Sequence, residues 1–86
     1  MDREKLLGRI ILNPKIMAGK PIIKGTRLSV QYILNLLANG YTVDELLKEY
    51  NGLKKEDITA CLLYASETIE NTTYMPLAEA VWKWSS

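Results

Sequence analysis

Eighty-six residues are room for one domain, and 48% hydrophobic with 24% charged residues is an ordinary globular composition rather than a disordered one. No apolar run approaches the ~18–20 residues needed to cross a bilayer, and the chain has no histidine, which removes the commonest general base and the commonest metal ligand. The net charge of +1 hides an asymmetry: residues 1–30 carry seven basic side chains against two acidic ones, whereas residues 31–86 carry four against eight. A basic half points to an anionic partner; equally, solvated lysines keep a small protein in solution.

The start, Met1-Asp2-Arg3-Glu4-Lys5, is too charged and short for a signal peptide. Residues 1–8 read as a frayed helical turn that Gly8 ends. Arg9-Ile10-Ile11-Leu12, closed by Asn13-Pro14, reads as a short strand entering a turn. Gly19-Lys20-Pro21 punctuates the chain again. Ile22-Ile23-Lys24 is a second short strand, closed by Gly25-Thr26-Arg27. Two such strands are marginal alone and must lean on helices or on a second subunit.

Ser29 is placed to cap a helix on which Val30, Ile33, Leu34, Leu37 and Ala38 share one face, and Asn39-Gly40 stops it. Thr42-Val43-Asp44-Glu45 is a capping box opening a second helix, with Leu46, Leu47 and Tyr50 as its buried candidates. Asn51-Gly52 ends it after barely two turns. A third helix runs from Lys54 or Lys55 to about Glu70, with Ile58, Cys61, Leu62, Ala65 and Ile69 on a common face. Asn71-Thr72-Thr73 is a linker, and residues 76–84 form a last short helix with Pro76 in its first turn.

The expected architecture is therefore one mainly α domain over residues 1–86. Residues 9–28 form a short β segment, residues 29–70 a trihelical helix-turn-helix core, and residues 71–86 a linker and aromatic tail. Cys61 is the only cysteine, so no intrachain disulfide forms and the reducing cytosol is the expected compartment. Its apolar setting of Ile58, Leu62 and Ala65 marks it as a small core residue rather than a nucleophile. Asp44, Glu45, Glu56 and Asp57 fall in helix first turns, where capping and the helix dipole explain them without a metal. No enzyme, cofactor or metal site is expected.

The residues Asn13-Pro14, Gly19 through Val30, Ile33-Leu34 and Leu37 through Tyr41 resemble the signature of the "domain of unknown function 433" family. The match continues through Asp44-Glu45-Leu46-Leu47, Tyr50, Leu53, Glu56-Asp57-Ile58 and Leu63-Tyr64-Ala65, covering roughly residues 9–66. The resemblance implies a small prokaryotic protein of homeodomain-like helix-turn-helix fold. It further implies an antitoxin that caps a PIN-like toxin and represses its own promoter as a homodimer; the cytoplasmic location and the lack of a membrane partner are expected from the single cysteine and the short apolar runs. One position departs: Lys54 stands where the family often has Thr or Ser before the third helix, which weakens that cap and adds a positive charge.

For operator DNA, base edges need hydrogen-bonding side chains and phosphates need cations. The third helix offers Lys54, Lys55, Thr59 and Tyr64, and the second strand is bracketed by Lys20, Lys24 and Arg27. Arg27 could equally pair with Glu45 or Glu49. The alternative to DNA binding is a pure protein-interaction or dimerisation module. For a protein partner the tail residues Tyr74, Met75, Leu77, Val81, Trp82 and Trp84 are the candidates, being of types enriched in interface cores. The tail could also complete the core of its own subunit or of a dimer.

Overall fold

The computed structural model describes residues 2–15 and 17–71. Over these the chain is mainly helical, with a short two-stranded sheet near the N-terminus. The elements in chain order are α1 (Arg3–Leu7), β1 (Ile10–Leu12), a 3₁₀ turn (Met17–Gly19), β2 (Pro21–Ile23), α2 (Val30–Ala38), α3 (Val43–Glu49) and α4 (Lys55–Glu70). The expected last helix over residues 76–84 lies outside the described residues, as do all six tail candidates.

Each helix begins where a side chain can take up a free backbone N–H. Asp2 accepts the Glu4 N–H at 3.0 Å, and Ser29 accepts the Tyr32 N–H at 3.0 Å. At α3 the Glu45 N–H donates to Thr42 Oγ1 at 3.1 Å while the Thr42 N–H donates to Glu45 Oε1 at 2.8 Å, a complete capping box. Lysine has no acceptor, so Lys54 gives α4 no such cap. Only the reciprocal bond forms, from the Lys54 N–H to Asp57 Oδ2 at 2.9 Å.

β1 and β2 pair antiparallel with Ile10 opposite Ile23, Ile11 opposite Ile22 and Leu12 opposite Pro21. The strand period of two sends Ile10 and Ile23 to one face and Ile11 and Ile22 to the other. Pro21 opens its strand, where the missing N–H is harmless. Thr26 ties the turn that follows: its hydroxyl donates to the Ile23 carbonyl at 2.8 Å and accepts the Leu28 N–H at 3.0 Å. The Thr side chain thus returns the chain towards Ser29, which bridges to Ile22.

Ile23, Val30, Ile33, Leu46, Leu53, Ile58 and Cys61 form one buried cluster, drawn from β2 and all three larger helices. Leu53, in the turn between α3 and α4, is 7% exposed and pins that turn to the core. The two helices and their turn make the helix-turn-helix, with α2 packed across α4.

The buried side of α4 is rotated from expectation. Leu62 is 51% and Ile69 74% exposed, whereas Ala60 and Asp57 are buried beside Cys61 and Ile58. The reason is α1, which packs against α4 more extensively than any other element does. The helix therefore buries the flank between α1 and α2, and its Leu62 side turns outward. On α2, too, the apolar face is only partly covered: Val30 and Ile33 are buried, Leu34 and Leu37 half-buried, and Ala38 exposed.

Candidate nucleic-acid interface

Asp57 organises the N-terminal end of α4. It is 6% exposed, and its two oxygens have separate tasks. Oδ1 accepts Arg9 Nη1 at 2.9 Å, and Oδ2 accepts the Lys54 N–H at 2.9 Å. Arg9 lies beside β1, and its carbonyl accepts the Lys24 N–H at 2.7 Å. The Arg9–Asp57 pair therefore joins the strand layer to α4 across 48 residues of sequence.

This pairing gathers lysines that are distant in the chain. Lys5, Gly8, Arg9, Lys24 and Asp57 line a cavity of about 330 Å³. Lys54 and Lys55, both exposed, leave the chain at the same end of α4, because the Lys54 backbone is bonded directly to Asp57. Arg9 and Asp57 offset each other, which leaves Lys5, Lys24, Lys54 and Lys55 with Glu56 as the remaining carboxylate of the α4 first turn. Arg9 was counted in the basic half of the sequence, yet its charge is taken up internally.

The other candidates divide. Lys20 sits with Tyr64, Ala65, Thr68 and Ile69, at the far end of α4 from Lys24. Arg27 is exposed on the other side of the strand layer, beside Ile11, Ile22 and Thr26, and makes no ion pair with Glu45 or Glu49. Tyr64 is half-buried against α2 rather than outward-facing. Thr59 is half-buried, and its hydroxyl donates to the Lys55 carbonyl at 3.2 Å.

The outward arc of α4 follows from a step of about 100° per residue. Lys55, Thr59, Leu62, Ser66, Ile69 and Glu70 fall on it. Its N-terminal half carries a cation, a hydroxyl and an apolar side chain able to meet base edges or thymine methyl groups. Its C-terminal half, with Ile69 and Glu70, does not suit a phosphate surface.

Chemistry elsewhere is sparse. Burial pushes the Cys61 thiol up to about 12, with the negative charge of Asp57 adding to the effect. At neutral pH it is a protonated thiol inside the core. Among the described residues no three His, Cys, Asp or Glu side chains group as metal ligands, and no helix is long and apolar enough to cross a membrane. The Tyr32 and Tyr50 hydroxyls lie 2.7 Å apart, with their rings edge to face at 6.2 Å, joining α2 to the end of α3. That hydrogen bond is the main reason the Tyr50 phenol rises to about 12.

Sequence reasoning missed the Arg9–Asp57 pair altogether. The only signal for it was the reading of Asp57 as a first-turn carboxylate beside a lysine that cannot cap.

Comparison with known proteins gives three matches. The family described as "Protein of unknown function (DUF433)" matches residues 10–65. The uncharacterized protein y4eO of Sinorhizobium fredii (strain NBRC 101917 / NGR234) is 32% identical over 53 residues. That match takes in 62% of this chain but only 24% of the relative, so the chain spans a minor part of that protein's length. The crystal structure of a DUF433 member from Anabaena variabilis ATCC 29413 superposes with a TM-score of 0.70 at 30% identity, covering 78% of this chain and 66% of that one. With the signature spread across β1, β2 and all three larger helices, and the fold shared with a solved member, this chain belongs to the DUF433 family.

Proposed function

We propose that this protein is an antitoxin-like regulator that binds DNA through the lysine-rich N-terminal end of α4. Its protein partner is a PIN-like toxin, held by the residues beyond α4, and the pair works in a prokaryotic cytoplasm with the regulator as a homodimer. The observation that carries the DNA contact is the gathering of Lys5, Lys24, Lys54 and Lys55 around the Arg9–Asp57 pair, at the start of the second helix of a helix-turn-helix. Phosphate binding needs such a group of cations on one side of the molecule, and Lys55, Thr59 and Leu62 stand next to it for contact with bases. The toxin contact is supported by the family resemblance and by the aromatic content of residues 74–84.

A second reading, a protein-interaction module that never touches DNA, draws support from Leu62 and Ile69, which place two large apolar side chains on the outward arc of α4. A gel shift with the DNA upstream of the protein's own reading frame, at low and moderate salt, separates the two. The regulator retards that DNA at low salt and releases it as salt rises. The interaction module leaves it unretarded at every salt concentration.

The toxin contact has its own test. Among the described residues, the core cluster and the side chains packed on it lie between Ile10 and Tyr64. Deleting residues 72–86 is expected to leave a helical, folded domain by circular dichroism, and the same sample is expected no longer to capture the toxin in a pull-down. A folded truncation that still captures it would move the toxin contact to the trihelical body.

A further inference from the structure

The Tyr32–Tyr50 hydrogen bond joins α2 to the end of α3, and beside it the surface opens into a cavity of about 460 Å³. Its floor is apolar, made by the buried Leu46 and the half-buried Leu36. Three tyrosines line it: Tyr32 from α2, Tyr41 from the loop before α3, and Tyr50 from the end of α3. The Tyr32 and Tyr50 rings stand at 82° with centroids 6.2 Å apart. A cation in the angle between them lies within the ~6 Å over which a ring face attracts it. The bond between the helices accounts for Tyr32 and Tyr50, but not for Tyr41, which lines the same cavity and is 49% exposed.

The rim of this cavity is acidic. Glu45 uses Oε1 to accept the Thr42 N–H and keeps Oε2 for another donor. Glu49 is exposed and belongs to neither of the ion pairs found among the described residues, Arg3–Glu67 and Arg9–Asp57. Lys48 is the one cation lining the cavity, against these two carboxylates. Glu49 and Tyr50 also stand at the C-terminal end of α3, the negative pole of the helix. Carboxylate and rings act at one point: the Tyr50 phenol is raised to about 12, first by the Tyr32 hydrogen bond and then by desolvation, with Glu49 and Tyr41 adding to the effect. An apolar floor, three aromatic rings and a negative rim suit an organic cation, whose diffuse charge is weakly hydrated.

We propose that the cavity lined by Tyr32, Tyr41 and Tyr50 is a binding site for an organic cation, an alkylammonium or guanidinium group held against the rings and offset by Glu45 and Glu49. The site shares no residue with the lysine cluster and does not rest on the DNA reading. A free small molecule and the basic side chain of a protein present the same chemistry to it, and the test separates them.

The full chain is titrated with tetramethylammonium chloride and, separately, with Nα-acetylarginine amide, at constant ionic strength, and the proton NMR lines of each probe are followed. Protons seated against aromatic faces are expected to move upfield and to saturate in the millimolar range. The uncharged counterparts, tert-butanol and Nα-acetylcitrulline amide, are expected to show no saturable shift. Tighter binding of tetramethylammonium assigns the site to a small-molecule cation, and tighter binding of the arginine derivative to a basic side chain. Tyr41→Leu and Glu49→Gln are each expected to weaken binding several-fold. Tyr41→Phe, which keeps the ring, is expected to bind like the parent, and Lys48→Gln, which removes the competing charge, to bind more tightly. All of these positions are exposed, so the helical spectrum by circular dichroism is expected to stay unchanged. The proposal is overturned if neither cation binds saturably, or if the uncharged counterparts bind as well as the cations. It is overturned equally if Tyr41→Leu and Glu49→Gln, both folded, bind like the parent, since the cation then sits elsewhere.

Discussion

A single carboxylate, Asp57, secures two boundaries: it ends the free backbone at the start of α4 and it holds Arg9 of the strand layer. Asp57→Ala leaves the Arg9 guanidinium and the Lys54 N–H without their acceptor. With Arg9 35% exposed, the guanidinium is partly rehydrated, and the loss is about 2–3 kcal/mol rather than the larger cost of a fully buried pair. Asp57→Asn retains an acceptor for Lys54 and loses less; urea unfolding of both variants measures the difference. Cys61 makes a second prediction. Its folded thiol titrates at about 12, above the ordinary value of 9.0, so the folded state holds the proton more tightly than the unfolded one. The associated stability is complete below pH 9 and is lost as pH rises towards 12. Thermal unfolding between these limits therefore falls steeply in the parent protein and less so in Cys61→Ala. Tyr50, whose phenol is raised in the same direction by its hydrogen bond with Tyr32, adds to the slope in both proteins.

The helices were legible because their signals are local. Ser29 and the Thr42–Glu45 box start α2 and α3 where the sequence places them, and α4 runs over Lys55–Glu70 as its pattern indicates. Thr42→Ala is expected to cost about 1 kcal/mol in urea unfolding, the usual value of a lost cap. Gly52 holds φ +87 in the turn between α3 and α4, a conformation that side chains disfavour. Open space surrounds the position, so Gly52→Ala costs about 1 kcal/mol through the backbone alone, with no change in the denaturant slope. What α4 buries was less legible. The 3.6-residue period puts Leu62 and Ile69 with Cys61, but it cannot register that a five-residue N-terminal helix covers the flank bearing Asp57 and Ala60. Likewise, Lys20 and Lys24 bracket one short strand in sequence, and only the course of that strand along α4 sends them to opposite ends of the helix.

At the scale of the whole molecule, the described surface divides along α4: cations at its N-terminal end, an apolar groove at its C-terminal end. The two-stranded sheet has no third strand among the described residues, and Leu12 on β1 is 60% exposed, so the strand layer is open to a twin. Light scattering at micromolar concentration is expected to return twice 9.8 kDa, and a steady monomer mass across that range would count against the dimer. The lysine cluster is tested most directly by fluorescence anisotropy of the upstream DNA, titrated over a series of salt concentrations with the parent, Lys24→Ala, Lys55→Ala and Arg27→Ala proteins. The parent is predicted to bind with an affinity that falls as salt rises. Lys24→Ala and Lys55→Ala are predicted to bind more weakly, with log–log salt slopes shallower by about one. Arg27→Ala, on the other side of the strand layer, is predicted to stay close to the parent. A parent that fails to bind at low salt, or lysine variants that titrate like the parent, would contradict the assignment of this end of α4 to DNA.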